Sequence, residues 1–226
     1  MFIKICANTN LEDARLAAEL GVDAVGFVFA RSKRQVTPQQ VAEITRELPA
    51  DLAKVGVFTS TDAGEIVQAA KVAGLTAVQL HNAFDPKLVD AIAAASGGVL
   101  HVVQVVDVPV GMDLERLRGL LTAVLSHRYV LAVLLDASHG GVSGGTGKTF
   151  DWDRTAAAVR EVQKATGGWV IVAGGLSAEN VDEAIAAFAP WGVDVASGVE
   201  SAPGKKDPER LRAFVAVARA ARSADE

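Results

Sequence analysis

The amino-acid sequence predicts an α/β fold, a single-domain (β/α)8 TIM barrel spanning residues 1–226, and three observations carry that prediction. Eight short apolar runs recur along the chain. Helix-type stretches with their own start signals fall between them. The length suits a closed barrel, whose typical size is about 250 residues with short members near 200. An open doubly wound sheet is the alternative, and eight units in this length without a long linker favour closure.

The strand candidates are FIKIC (2–6), AVGFVF (24–29), AKVGVF (53–58), AVQLH (77–81), VLHVVQVV (99–106), YVLAVLLD (129–136), WVIVAGG (169–175) and VDVASG (193–198). They are near-continuous apolar runs rather than strict alternations, as expected of parallel strands covered on both faces. Helices must supply that cover. A helical pattern spans residues 11–20. Thr37-Pro38-Gln39-Gln40 combines an N-cap, a proline at the first helical position and a glutamine at the third. Asp85-Pro86 and Asp207-Pro208 repeat the cap-proline device, and Ser177 reads as a further N-cap. No residue-level repeat accompanies this alternation.

Half the residues are apolar, and a chain of this size buries roughly 70% of its unfolded surface. The net charge is −5 and the pI near 5.4. Basic residues are scattered, so nucleic acid is not an expected partner. No apolar run approaches the ~20 residues needed to span a bilayer. The opening MFIKICANTN carries a lysine inside its first apolar run, unlike a signal peptide. Cys6 is the only cysteine, which rules out an intramolecular disulfide and fits a reducing, cytoplasmic setting. A monomer or weak homodimer is expected.

Barrel chemistry sits at the C-terminal ends of the strands. That filter selects Cys6, His81 and Asp136, with glycine-rich segments after the sixth, seventh and eighth strands. Taken alone, Cys6 reads as a small core residue. Asp136 is more informative, because a carboxylate ending an apolar strand is costly to bury unless it is paired or at a polar site. His81 suits a hydrogen-bonded rim position. His101, His127 and His139 share no metal-ligand spacing, so no metal is expected. Residues 140–149 contain a GKT, but Val142 stands where a P-loop needs glycine. The segment reads instead as a lid whose amides, Gly145 among them, approach an anionic substrate. Gly174-Gly175 and Ser197-Gly198 lie after strands seven and eight, whose loops commonly form a phosphate site in this fold.

These residues, in this order, resemble phosphoribosylanthranilate isomerase of tryptophan biosynthesis. The likeness runs through KIC (4–6), GFVF (26–29), VQLH (78–81), LLD (134–136), GGTGKTFDW (144–152), AGGLSAENV (173–181) and SGVESAPGKKD (197–207). It implies a cofactor-free Amadori rearrangement of a small phosphorylated substrate, with Cys6 as general base and Asp136 as general acid. It also implies that Arg34 holds the anthranilate carboxylate, with Arg31 as rival because Lys33 replaces the family's proline. Two further departures are Ala7 and Asn82, where the family has glycine. Lys4 is expected to point away from Cys6. The histidine-pathway isomerase, which carries aspartate at the position of Cys6, and an inactive phosphate-binding barrel are the alternatives.

Overall fold

The structure, a computed structural model, describes residues 1–109, 111–136 and 152–223. Eight parallel strands close into a barrel in chain order, with the last pairing to the first. They are β1 (Phe2–Ile5), β2 (Ala24–Val28), β3 (Ala53–Phe58), β4 (Ala77–Leu80), β5 (His101–Asp107), β6 (Val130–Asp136), β7 (Trp169–Ala173) and β8 (Gly192–Val195). Each sequence-predicted run coincides with one of them, the ends shifting by at most three residues. The covering helices are α1 (Leu11–Glu19), α2 (Pro38–Thr45), α3 (Ala63–Ala73), α4 (Pro86–Ala95), α5 (Leu114–Leu125), α6 (Trp152–Thr166), α7 (Val181–Phe188) and α8 (Pro208–Ser223). A short antiparallel hairpin, β9 (Glu200–Ala202) with β10 (Lys205–Lys206), follows β8 and was not foreseen.

The caps behave as their chemistry dictates. Thr37 and Gln40 form a reciprocal capping box at 3.2 and 2.8 Å. Asp85 accepts from the Lys87 amide, and Asp207 from the amides of Glu209 and Arg210. Ser177 corrects its expectation. The helix begins at Val181, four residues later, and the Ser177 amide is taken by the Asn180 side chain at 2.9 Å. Asn180 can reach back across that turn, so the chain makes an extra loop before the helix starts.

Two shells of apolar packing result. Between barrel and helices lie Val25, Phe27, Val41, Ile66, Val133, Phe188 and Phe214, all fully buried. Inside the barrel, Val103, Val105, Ala132, Leu134 and Ile171 face Ala24, Val55 and Ala77. Phe2 packs against both interior groups, and it continues into a stack with Trp191 and Trp169 at centroid spacings of 4.3 and 4.5 Å. Because successive residues of a strand point to opposite faces, the inward set of β1 is Phe2, Lys4 and then Cys6 just beyond its end. The interior therefore turns from aromatic to polar toward the C-terminal mouth.

Candidate active site

Cys6 is held by its backbone. Its amide donates to the Val195 carbonyl at 2.8 Å, and its carbonyl accepts from the Lys206 ammonium at 2.5 Å. The chain then turns through Ala7 at φ 62, the left-handed region that glycine occupies most easily. Asn8, fully buried, fixes that turn by donating to the carbonyls of Ile5 and Gly26 at 2.8 and 3.2 Å. Ala7 thus keeps the glycine-type geometry despite its Cβ. Asn82 does not need that conformation, since among described residues only Ala7 and Ala189 are non-glycines with positive φ.

The Cys6 side chain is buried, at 6% exposure. Burial pushes its thiol up, while the nearby ammonium of Lys4 pulls it down. This overturns the expected direction of Lys4. Residues 4 and 6 are two apart, so alternation puts them on one face. Lys4 is fully buried and forms an ion pair with Asp194 at 2.9 Å. Burial works against its charge, but Asp194 and Cys6 outweigh it and hold the ammonium above the ordinary lysine range. Gly26 makes the room: a Cβ there would stand 2.7 Å from the Cys6 sulfur and 3.2 Å from Lys4 Cε.

Asp136 ends β6, and its side chain borders a cleft of about 220 Å³ at the barrel mouth. Arg34, Ala173, Gly174, Gly175, Asp194 and Ser197 share that cleft. The structure thus gathers Asp136, Arg34 and the two glycine loops around one opening, while Cys6 does not line it and reaches it only through the charge of Asp194, which does. Arg34 is half-buried, whereas Arg31 is exposed. The Arg34 guanidinium is forked onto Glu200, which is buried. Burial would raise Glu200, yet the bonds from Arg34 and the charge of Lys206 bring it below the usual carboxylate range.

The loops after β7 and β8 approach each other closely. A Cβ on Gly198 would lie 1.9 Å from the Leu176 carbonyl oxygen, so only glycine fits there. Gly174 and Gly175 adopt positive φ, 91 and 69. His81 is not among the residues lining this cleft but stands beside Asp136, with Nε2 3.3 Å from Asp107. His81, Asp107 and Asp136 present ligand-type atoms within 4.8 Å of one another, the one group among the described residues with the geometry to hold a cation. Gly145, His139 and the segment read as a lid lie outside the described residues.

Sequence reasoning passed over Asp107, Asp194, Glu200 and Lys206, and it named Lys4 only to point it away from Cys6. Asp107 was lost because the fifth run was ended one residue early. Asp194 carried a legible signal, since it interrupts an apolar strand just as Asp136 ends one.

A family model described as N-(5'-phosphoribosyl)anthranilate (PRA) isomerase matches residues 3–217. An N-(5'-phosphoribosyl)anthranilate isomerase of Pelobacter propionicus is 42% identical, over 98% of this chain and 97% of its own length. The crystal structure of phosphoribosyl anthranilate isomerase from Thermotoga maritima superposes with a TM-score of 0.81 at 37% identity, covering 97% of this chain and 99% of its own. Another, in complex with reduced 1-(o-carboxyphenylamino)-1-deoxyribulose 5-phosphate, gives a TM-score of 0.79 at 36% identity with the same coverage.

Proposed function

Because the chain belongs to the N-(5'-phosphoribosyl)anthranilate isomerase family, we propose that its barrel, residues 1–226, converts N-(5-phosphoribosyl)anthranilate to 1-(2-carboxyphenylamino)-1-deoxyribulose 5-phosphate with Cys6 as general base and Asp136 as general acid. The supporting observation is the single cleft that brings Asp136, Arg34 and the glycine loops together.

Asp136 gives its proton to the ribose ring oxygen as the C1–O bond breaks, leaving an iminium at C1. The iminium acidifies the C2 hydrogen and serves as electron sink, and the Cys6 thiolate removes that proton to give an enolamine. C1 then gains a proton from the Cys6 thiol while the C2 hydroxyl loses one to the Asp136 carboxylate, which yields the ketone and restores both groups. No electrons leave the substrate, so its own nitrogen does the work a cofactor would do elsewhere. The phosphate lies against the amides of Gly174, Gly175, Ser197 and Gly198. The anthranilate carboxylate lies on Arg34, with His81 and Gly145 bordering the substrate.

No helix of the described residues is long and apolar enough to cross a membrane, and we place the enzyme in the cytoplasm as a monomer or weak homodimer. Turnover of freshly generated phosphoribosylanthranilate, with the histidine-pathway substrate as competitor, tests the reading. Efficient turnover that the competitor leaves untouched supports it. Turnover of the competitor alone would overturn it.

A further inference from the structure

Resting on the reading of Cys6 as general base, we propose that Lys4 is the cationic partner of the Cys6 thiolate and that Asp194 is the positioning residue that holds Lys4 against it.

A buried thiol is a poor base for one physical reason, the cost of putting negative charge on sulfur away from water. Cys6 is in that position, and its surroundings push it toward the neutral form. The charged groups that act on it, or on those that do, can be named element by element. Lys4 comes from its own strand, Asp194 from β8, Lys206 and Glu200 from the hairpin, Arg34 from the segment after β2, and Asp136 from β6 across Asp194. β2 itself contributes Gly26, which adds no charge but leaves a hollow. The Cys6 sulfur and the end of the Lys4 side chain both lie in contact distance of that one hollow.

Of the three cations, Lys4 is the one whose side chain shares the Gly26 hollow with the sulfur, a Cβ built there standing 3.2 Å from Lys4 Cε and 2.7 Å from the sulfur. Lys206 is spent elsewhere, donating to the carbonyls of Cys6 and Ala196 at 2.5 and 3.3 Å and pairing with Glu200 at 3.5 Å. Arg34 is committed to Glu200. Lys4 is also the cation whose charge burial fails to neutralise, because Asp194 sits 2.9 Å from its nitrogen. When the sulfur loses its proton to solvent, the ammonium already in place takes up the new charge. Lys4 stays protonated throughout and exchanges no proton with the substrate.

Since Cys6 is the sole cysteine, its ionisation can be followed by the pH dependence of alkylation with iodoacetamide, independently of catalysis. An opposite charge within about 4–6 Å shifts such a group by 1–3 pH units. Lys4→Met is therefore expected to move both the alkylation midpoint and the acidic limb of kcat/KM upward by about one unit or more. That single change strands Asp194 as a buried unpaired charge, so the double variant Lys4→Met/Asp194→Asn, which keeps the interior neutral and the shapes similar, carries the decision. Circular dichroism and a thermal melt check its fold. An upward shift in the folded double variant supports the proposal. An unchanged alkylation midpoint would overturn it. Full turnover in Cys6→Ala would instead remove the base assignment and leave the Lys4 contact standing.

Discussion

The guanidinium of Arg34 grips Glu200 through Nε at 2.9 and 3.0 Å and through Nη2 at 2.6 Å. This is a side-on fork, and it fixes the plane of the guanidinium while making no use of Nη1. Glu200 is itself anchored by the Gly204 amide and Lys206 at 3.2 and 3.5 Å. A cation braced in this way offers its remaining hydrogens to an incoming carboxylate without a large loss of side-chain freedom. Arg34→Ala is expected to reduce kcat/KM by about 10- to 100-fold, as for loss of a charge-assisted pair worth about 1.5–3 kcal/mol. Arg34→Lys should recover only part, because an ammonium cannot keep the fork. Arg31 is exposed, so Arg31→Ala should change little. Steady-state kinetics on the three variants decides the matter, and equal small effects at both positions would return the carboxylate to another residue.

Asp136→Asn keeps the side-chain shape but removes the transferable proton. Turnover is expected to fall by at least ~10², within the usual worth of general-acid catalysis, while affinity for a product analogue changes little. An unaltered kcat with a raised KM would make Asp136 a binding group.

Ala7 offers a test of stability. Its left-handed conformation costs about 1–2 kcal/mol in a residue with a Cβ. Ala7→Gly relieves that strain, but it loosens the unfolded chain by about 0.4–1 kcal/mol and removes a buried methyl worth about 0.8 kcal/mol. These nearly cancel, and the predicted change is within ~1 kcal/mol of zero. Ala14→Gly, at a buried position of helix α1, has no strain to relieve and should cost about 1.5–2 kcal/mol from helix propensity and the lost methyl. Denaturant unfolding measures both, and comparable losses would mean that Ala7 carries no strain.

The barrel was legible because parallel buried strands leave long apolar runs and because capping residues announce helix starts, as Thr37 and Asp85 do. Asp136 was legible for the same reason in reverse, as a charge where an apolar run ends. Arg34 could be separated from Arg31 only in three dimensions, since its partner Glu200 is 166 residues away. The hairpin β9–β10 is too short to leave a periodic trace, and it delivers both Glu200 and Lys206. Lys4 was set aside by alternation counted wrongly, since a two-residue spacing puts it on the same face as Cys6.

Gly198 stands where the loops after β7 and β8 meet. A Cβ at that position would lie 1.9 Å from the Leu176 carbonyl oxygen, which is backbone and cannot swing aside as a side chain would. Gly198→Ala must therefore push the two loops apart. If their amides cradle the substrate phosphate, their spacing sets its affinity, because hydrogen bonds to an anion weaken steeply with distance and angle. Calorimetry with two product analogues, one bearing the terminal phosphate and one without it, separates this from general damage. Wild-type enzyme should prefer the phosphorylated analogue strongly. In Gly198→Ala that analogue should bind about 10- to 100-fold more weakly, equivalent to about 1.4–2.8 kcal/mol. The dephosphorylated one should bind as before, which also shows that the barrel still folds. Equal weakening of both analogues would place the phosphate away from these loops.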